Sequence, residues 1–215
     1  MQITWYGHSC FLIKTSIGKR ILIDPFDNNL GYDNNFPKCD LITISHNHFD
    51  DSYLNKTNNI TKVLNKTGTF DMNFLKIEGF NSFHDKCNGL KRGPNIIFIF
   101  KDDICSLCHL GDLGHLPCSS VLEKLKNIDI LLIPIGGHFT LNGFEAANLC
   151  KLVSPKYVIP MQYKTNKTSL YLDDLKNFII SMKHIKKLNS NILDTSDLDF
   201  TSKSKCCILL TPPCD

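Results

Sequence analysis

Short apolar runs separated by turn residues dominate the first half of the chain. Ile3–Trp5, Phe11–Ile13, Ile21–Ile23 and Leu41–Ile44 are rich in β-branched and aromatic side chains, and Gly7, Gly18 and Asp24-Pro25 punctuate them. This pattern predicts strands joined by tight turns. Ile96–Phe100 and Ile104–Cys108 predict a strand pair, with Lys101-Asp102-Asp103 as its hairpin loop. The second half alternates. Val121, Leu122 and Leu125 fall at helical spacing after Ser119-Ser120, and Ile130–Ile135 follows as a buried strand. Asn142 with Glu145 three residues later has the form of a capping box, opening a helix through about Val153. Tyr157–Ile159 and Cys207–Leu210 predict two more strands, and Asn189–Ser204 a surface loop or edge hairpin. Leu172, Leu175, Phe178, Ile179 and Met182 give the clearest amphipathic helical period in the chain. Strands first, then strand–helix alternation, predicts sheets covered by helices.

Composition narrows the class. A chain of 215 residues, 42% hydrophobic and 21% charged, is ordinary for a globular protein and long enough for its own core. It shows no linker or repeat, which predicts one domain over residues 1–215. The net charge of +3 comes from 24 basic and 21 acidic residues spread along the whole length. No basic stripe forms, so no nucleic-acid partner is expected. Nor is a membrane, because no apolar run approaches the ~18 residues of a spanning helix. The opening run Met1–Tyr6 reads as a strand and not as a secretory leader, so a cytoplasmic location with reduced thiols is expected. The ten cysteines are then small buried hydrophobes, and Cys105-x-x-Cys108 lacks the second pair that a zinc ribbon needs.

The chemistry lies where the strand Leu41–Ser45 runs into His46-Asn47-His48-Phe49-Asp50-Asp51. Alternate residues of an extended chain point the same way. His46 and His48 can therefore offer two imidazoles to one ion at the ~2.0–2.1 Å that Zn–N bonds require, and Asp50 adds a carboxylate of the same parity.

The segment His46–Asp50 resembles the signature of the metallo-β-lactamase superfamily, and most closely its ascorbate-phosphate-lactonase-like branch of bacterial metal-dependent hydrolases. Trp5–Cys10, Ile23–Phe26, Ser82–Asp85, Lys91–Gly93, His109–His115, Pro134–Gly137 and Ile159–Tyr163 carry the similarity along nearly the whole chain. The resemblance implies an α/β fold, the αββα four-layer sandwich, with metal loops opening at one sheet edge. It implies His46, His48 and His84 as imidazole ligands of a first metal and Asp112 as a carboxylate bridging to a second. Asp50 would bind that second metal, or hold the attacking water and move its proton. The expected activity is metal-assisted hydrolysis of an ester, lactone or phosphoester of a small anionic metabolite.

The chain departs from the family pattern twice. Asp51 replaces the last His of His-x-His-x-Asp-His, and Gln162 replaces the His of Pro-Met-His-Tyr. Both missing imidazoles belong to the second metal. A site built from Asp50, Asp51, Asp112 and the Gln162 carbonyl would be all oxygen and would suit Mn, Mg or Ca better than Zn. Three readings follow: a single-zinc enzyme, a mixed-metal enzyme, or an impaired relative serving as a metal-binding or sensing protein. A phosphodiesterase or nuclease is a weaker fourth. His115, His138 and Arg92 are substrate-contact candidates, Arg92 because its planar fork suits phosphate or carboxylate. His109 reads as a packed strand residue, His8 as a turn residue near the site, and His184 as a helix-end charge. The partner is a small-molecule substrate; a homo-oligomer is compatible with the sequence.

Overall fold

Strands of three to eight residues cannot bury their own apolar faces, and here they do so by stacking two mixed sheets. The computed structural model describes residues 1–46, 62–126, 128–202 and 205–213; His48, Asp50 and Asp51 lie outside the described residues. In chain order the strands begin with β1 (Gln2–Gly7), β2 (Cys10–Lys14), β3 (Arg20–Ile23), β4 (Leu41–Thr43), β5 (Lys62–Leu64), β6 (Gly68–Asp71) and β7 (Lys76–Phe83). They continue with β8 (Pro94–Lys101), β9 (Ser106–His109), β10 (Ile130–Pro134), β11 (Tyr157–Met161), β12 (Ile185–Lys187), β13 (Ile192–Asp194) and β14 (Cys206–Leu209). One sheet has the order β13-β1-β2-β3-β4-β5, the other β12-β14-β11-β10-β9-β8-β7-β6.

Side-chain parity explains the stacking. Phe11, Ile13, Ile21 and Ile23 enter the core shared with Ile97, Phe98, Leu107 and Ile130 of the second sheet. Their neighbours Cys10, Leu12, Leu22 and Ile42 face the other way and pack under Phe26, Leu30 and Tyr32. β10 is buried at all five residues, as a parallel strand covered on both faces should be. The helices α1 (Ser119–Leu125), α2 (Gly143–Val153) and α3 (Lys176–Ile179) follow β9, β10 and β11. The α2 capping box is formed: Glu145 N–H donates to Asn142 Oδ1 at 3.0 Å, and Asn142 N–H to Glu145 Oε2 at 3.1 Å.

One expectation needs correction, and one strand carries no local signal. The period over Leu172–Met182 yields only the four-residue α3, because Asp173 N–H donates to Gly136 O (2.8 Å) and Lys164 N–H to Asp173 O (2.8 Å). Those bonds hold the approach to α3 in a non-helical course. β7 was not anticipated, since Gly79, Asn81 and Ser82 resemble a loop in composition. It is nonetheless an eight-residue strand paired along its full length with β8. Cys105 and Cys108 are buried in the main core, and burial pushes the Cys105 thiol up to about 12.

Direction along the strands positions the site. β9, β10 and β11 are parallel, and β7 runs the same way through two antiparallel steps by way of β8. The C-terminal ends of β7, β9 and β11 therefore meet one edge, where His84, Asp112 and Gln162 follow them. Open sheets place ligands at such carboxyl ends.

Candidate metal centre

His46, His84 and Asp112 come together at that edge, all buried, with one ligand atom of each within 4.8 Å of the others. Asp112 Oδ2 lies 2.8 Å from His84 Nε2 and 3.5 Å from His46 Nε2. Each imidazole is aimed by its other nitrogen. His84 Nδ1–H donates to the Phe139 carbonyl at 2.7 Å. Ser45 Oγ–H donates to Asp24 Oδ2 at 2.6 Å, so the Ser45 oxygen accepts from His46 Nδ1–H at 2.7 Å. Asp24 is fully buried and takes Ser45 N–H as well, at 2.7 Å. Both Nε2 lone pairs are thus directed to the cluster by partners of the kind that orient metal-ligating histidines. Two such imidazoles with one carboxylate fit a divalent transition ion.

The electrostatics are those of a proton standing where an ion would bind. Burial works against the charged form of both groups. Contact with the Asp112 carboxylate nonetheless raises the His84 pKa, and the His46 and His84 rings pull that of Asp112 well below the usual carboxylate range. An ion on these nitrogens competes with that proton.

Asp112 is placed by main-chain and glycine geometry. Asn95, fully buried, accepts from Asp112 N–H (2.9 Å) and donates to Leu110 O (2.9 Å) and Ser82 Oγ (2.7 Å). Gly111 has φ +57, and a Cβ there would fall 2.3 Å from Asn95 Oδ1 and 2.6 Å from Ser45 Oγ. Only glycine lets the Asp112 loop press against both neighbours. The second carboxylate oxygen, Asp112 Oδ1, accepts from the Gln162 side-chain amide.

The remaining candidates have other surroundings. His48 and Asp50 lie outside the described residues. His115 has both ring nitrogens on main-chain groups, Phe83 N–H at 3.0 Å and Leu116 O at 2.8 Å, and so braces the strand that leads to His84. His138 is exposed, with Nε2 3.3 Å from Asp173 Oδ1 and its ring 4.5 Å from that of Tyr171. Arg92 lies with its guanidinium carbon 4.2 Å from the centre of the Phe139 ring, next to the carbonyl that holds His84. His109 packs at 0% exposure and its Nε2–H donates to Ser9 O at 2.8 Å, while Nδ1 accepts from Gly111 N–H at 3.0 Å.

A Beta-lactamase superfamily domain matches residues 2–162, the span that holds His46, His84, Asp112 and Gln162. The chain belongs to that superfamily. It is 30% identical over 194 residues to a UPF0173 metal-dependent hydrolase of Caldivirga maquilingensis, covering 76% of this chain and 82% of the relative. A solved Thermotoga maritima structure of the metallo-β-lactamase superfamily superposes with a TM-score of 0.76. It is 32% identical and covers 97% of each chain. A metallo hydrolase from Ignicoccus hospitalis shares the fold, with a TM-score of 0.69 at 20% identity, over 100% of this chain and 96% of that one. The protein is accordingly a metal-dependent hydrolase of the metallo-β-lactamase superfamily. Among the described residues no helix is long and apolar enough to cross a membrane.

Reading the sequence of this superfamily member missed Asp24, Ser45, Asn95 and Asp85 as site residues. Asp85 follows His84 and accepts four main-chain N–H groups, from Cys87, Gly89, Lys91 and Arg92, at 2.7–2.9 Å. Desolvation pushes its carboxyl up, but those four donors outweigh it and hold the pKa at about 2. Its cradle sets the course of the loop that carries Arg92. A carboxylate one residue after a candidate ligand was the available signal.

Proposed function

We propose that this hydrolase acts on an ester, lactone or phosphoester of a small anionic metabolite, with a zinc ion held by His46, His84 and Asp112. The observation that carries the reading is the convergence of two anchored Nε2 atoms and one carboxylate oxygen, a mixed nitrogen–oxygen donor set suited to zinc. By the family resemblance His48 would add a third imidazole and Asp50 would hold the attacking water. Once bound, the ion would acidify a water and offset negative charge on the carbonyl or phosphoryl oxygen under attack.

The chain's own residues supply the rest. The Asp24–Ser45 pair and the Phe139 carbonyl hold the imidazoles in one tautomer and orientation. Arg92 offers a guanidinium stacked on Phe139, which supports an anionic group on the substrate. The experiment is metal analysis of the purified protein with a panel of lactones and phosphodiesters, each in anionic and neutral form. Turnover of the anionic members is expected, with Arg92→Ala raising their KM roughly 10- to 100-fold and leaving neutral substrates unaffected. Equal effects on both forms would remove Arg92 from substrate recognition. A second reading, a metal-binding or sensing protein without turnover, draws on Gln162 standing where the family pattern has a histidine. One bound ion per chain with no turnover across the panel would favour it.

A further inference from the structure

Gln162 lies just past β11, is 1% exposed, and has a left-handed backbone at φ +53. A non-glycine residue holds that conformation at a cost of about 1 kcal/mol or more, so its neighbours must enforce it. They do: Gln162 N–H donates to the His8 carbonyl at 3.2 Å. Its own carbonyl meets Gly136 so closely that a Cβ there would fall 2.0 Å from it. The side chain leaving this clamp donates its amide to Asp112 Oδ1. Facing an ionised carboxylate, only the NH2 end of the amide can take that position.

We propose that Gln162 is the positioning residue that sets the ion count of the centre, its amide sealing Asp112 Oδ1 so that the carboxylate serves one ion through Oδ2 alone. Oδ2 is the oxygen turned to His84 Nε2 and His46 Nε2. Two ions in a shared site stand ~3.5–4 Å apart and need a group that reaches both. Here the oxygen that would reach the second ion already has a donor against it. The amide also brings the positive end of its dipole to the place where a second cation would neutralise the carboxylate. Gln162 thus stands in for that cation electrostatically and keeps Asp112 oriented without binding metal itself. The inference rests on the metal-centre reading above.

The test is native mass spectrometry of the full chain with zinc and manganese titrations, alongside Gln162→Glu and Gln162→Met. Wild type is expected to take one zinc at micromolar metal and no second ion at millimolar manganese. Gln162→Glu replaces the donor with a second carboxylate beside Asp112. The all-oxygen pair is expected to recruit one manganese in addition to the zinc. Gln162→Met keeps the length and loses the amide. Its zinc is expected to bind ~10- to 100-fold more weakly, the loss usual when a ligand's outer partner is removed, and a second ion to enter at millimolar manganese through the unsealed Oδ1. This second variant decides the matter if the glutamate form does not fold. Two zinc ions on wild type, no manganese on Gln162→Glu, or unchanged affinity in Gln162→Met would each overturn the role of Gln162. A wild type that binds no ion would instead overturn the metal-centre reading itself.

Discussion

The two imidazoles of the centre arrive from different sheets and are held by different means. His46 leaves the six-stranded sheet after β4, and its orientation depends on two side chains, Ser45 and Asp24. His84 leaves the eight-stranded sheet after β7 and is held by a main-chain carbonyl, that of Phe139. A side-chain partner can be deleted by one substitution, whereas a carbonyl survives any substitution that preserves the loop. The centre is therefore fragile on one side and robust on the other, although its ligands look alike in sequence.

Removing a ligand outright gives the largest effect on either side. His84→Ala should weaken zinc binding by at least ~10³-fold in a competition titration, because one imidazole is lost and Asp112 loses its nearest partner. The apoprotein should still fold, since the main core is built without the ion. Next comes Asn95→Ala, which strips partners from the buried Leu110 carbonyl and Asp112 N–H together. It should cost about 3 kcal/mol in denaturant unfolding of the apoprotein. A loss below about 1 kcal/mol would mean that water or a shift of the loop replaces both bonds.

The comparison is sharpened by the outer partners. Ser45→Ala should lower zinc affinity ~10- to 100-fold, with Ser45→Thr restoring most of it. Phe139→Leu keeps the carbonyl and should change affinity less than ~3-fold, although it removes the ring beneath Arg92. Equal losses in Ser45→Ala and Phe139→Leu would erase the distinction between the two sides. The smallest effect at neutral pH concerns how the stabilisation by Asp85 depends on acidity. Its carboxyl is held at about 2, below the ~3.9 of an unfolded aspartate. Its stabilisation is therefore complete above about pH 4 and fades as pH falls through the folded value. The Tm gap between wild type and Asp85→Asn should be constant above pH ~4 and close toward pH ~2. A gap that widens in acid would contradict that sign.

What the sequence disclosed follows from the range of the interactions. Short apolar runs such as Phe11–Ile13 and Ile21–Ile23 locate strands because β-rich composition and flanking turn residues are local properties. The Asn142–Glu145 box locates α2 for the same reason. The period over Leu172–Met182 misled because Gly136, far away in sequence, takes the Asp173 N–H into a loop. His46 was legible as a candidate from its spacing to His48 after a strand, and His84 and Asp112 through the resemblance alone. Ser45 and Asn95 were silent. Their partners Asp24 and Asp112 are 21 and 17 residues distant, and only the stacked sheets bring them into contact. Gln162 was visible as a departure from the family pattern, but the direction of its amide toward Asp112 needed the fold.

The central claim is that one ion sits among His46 Nε2, His84 Nε2 and Asp112 Oδ2. Anomalous diffraction from zinc-loaded crystals at the zinc edge tests it most directly. The account predicts a single strong peak per chain, within ~2.0–2.2 Å of all three atoms. A peak at the cysteines, or none near these three atoms, would contradict it.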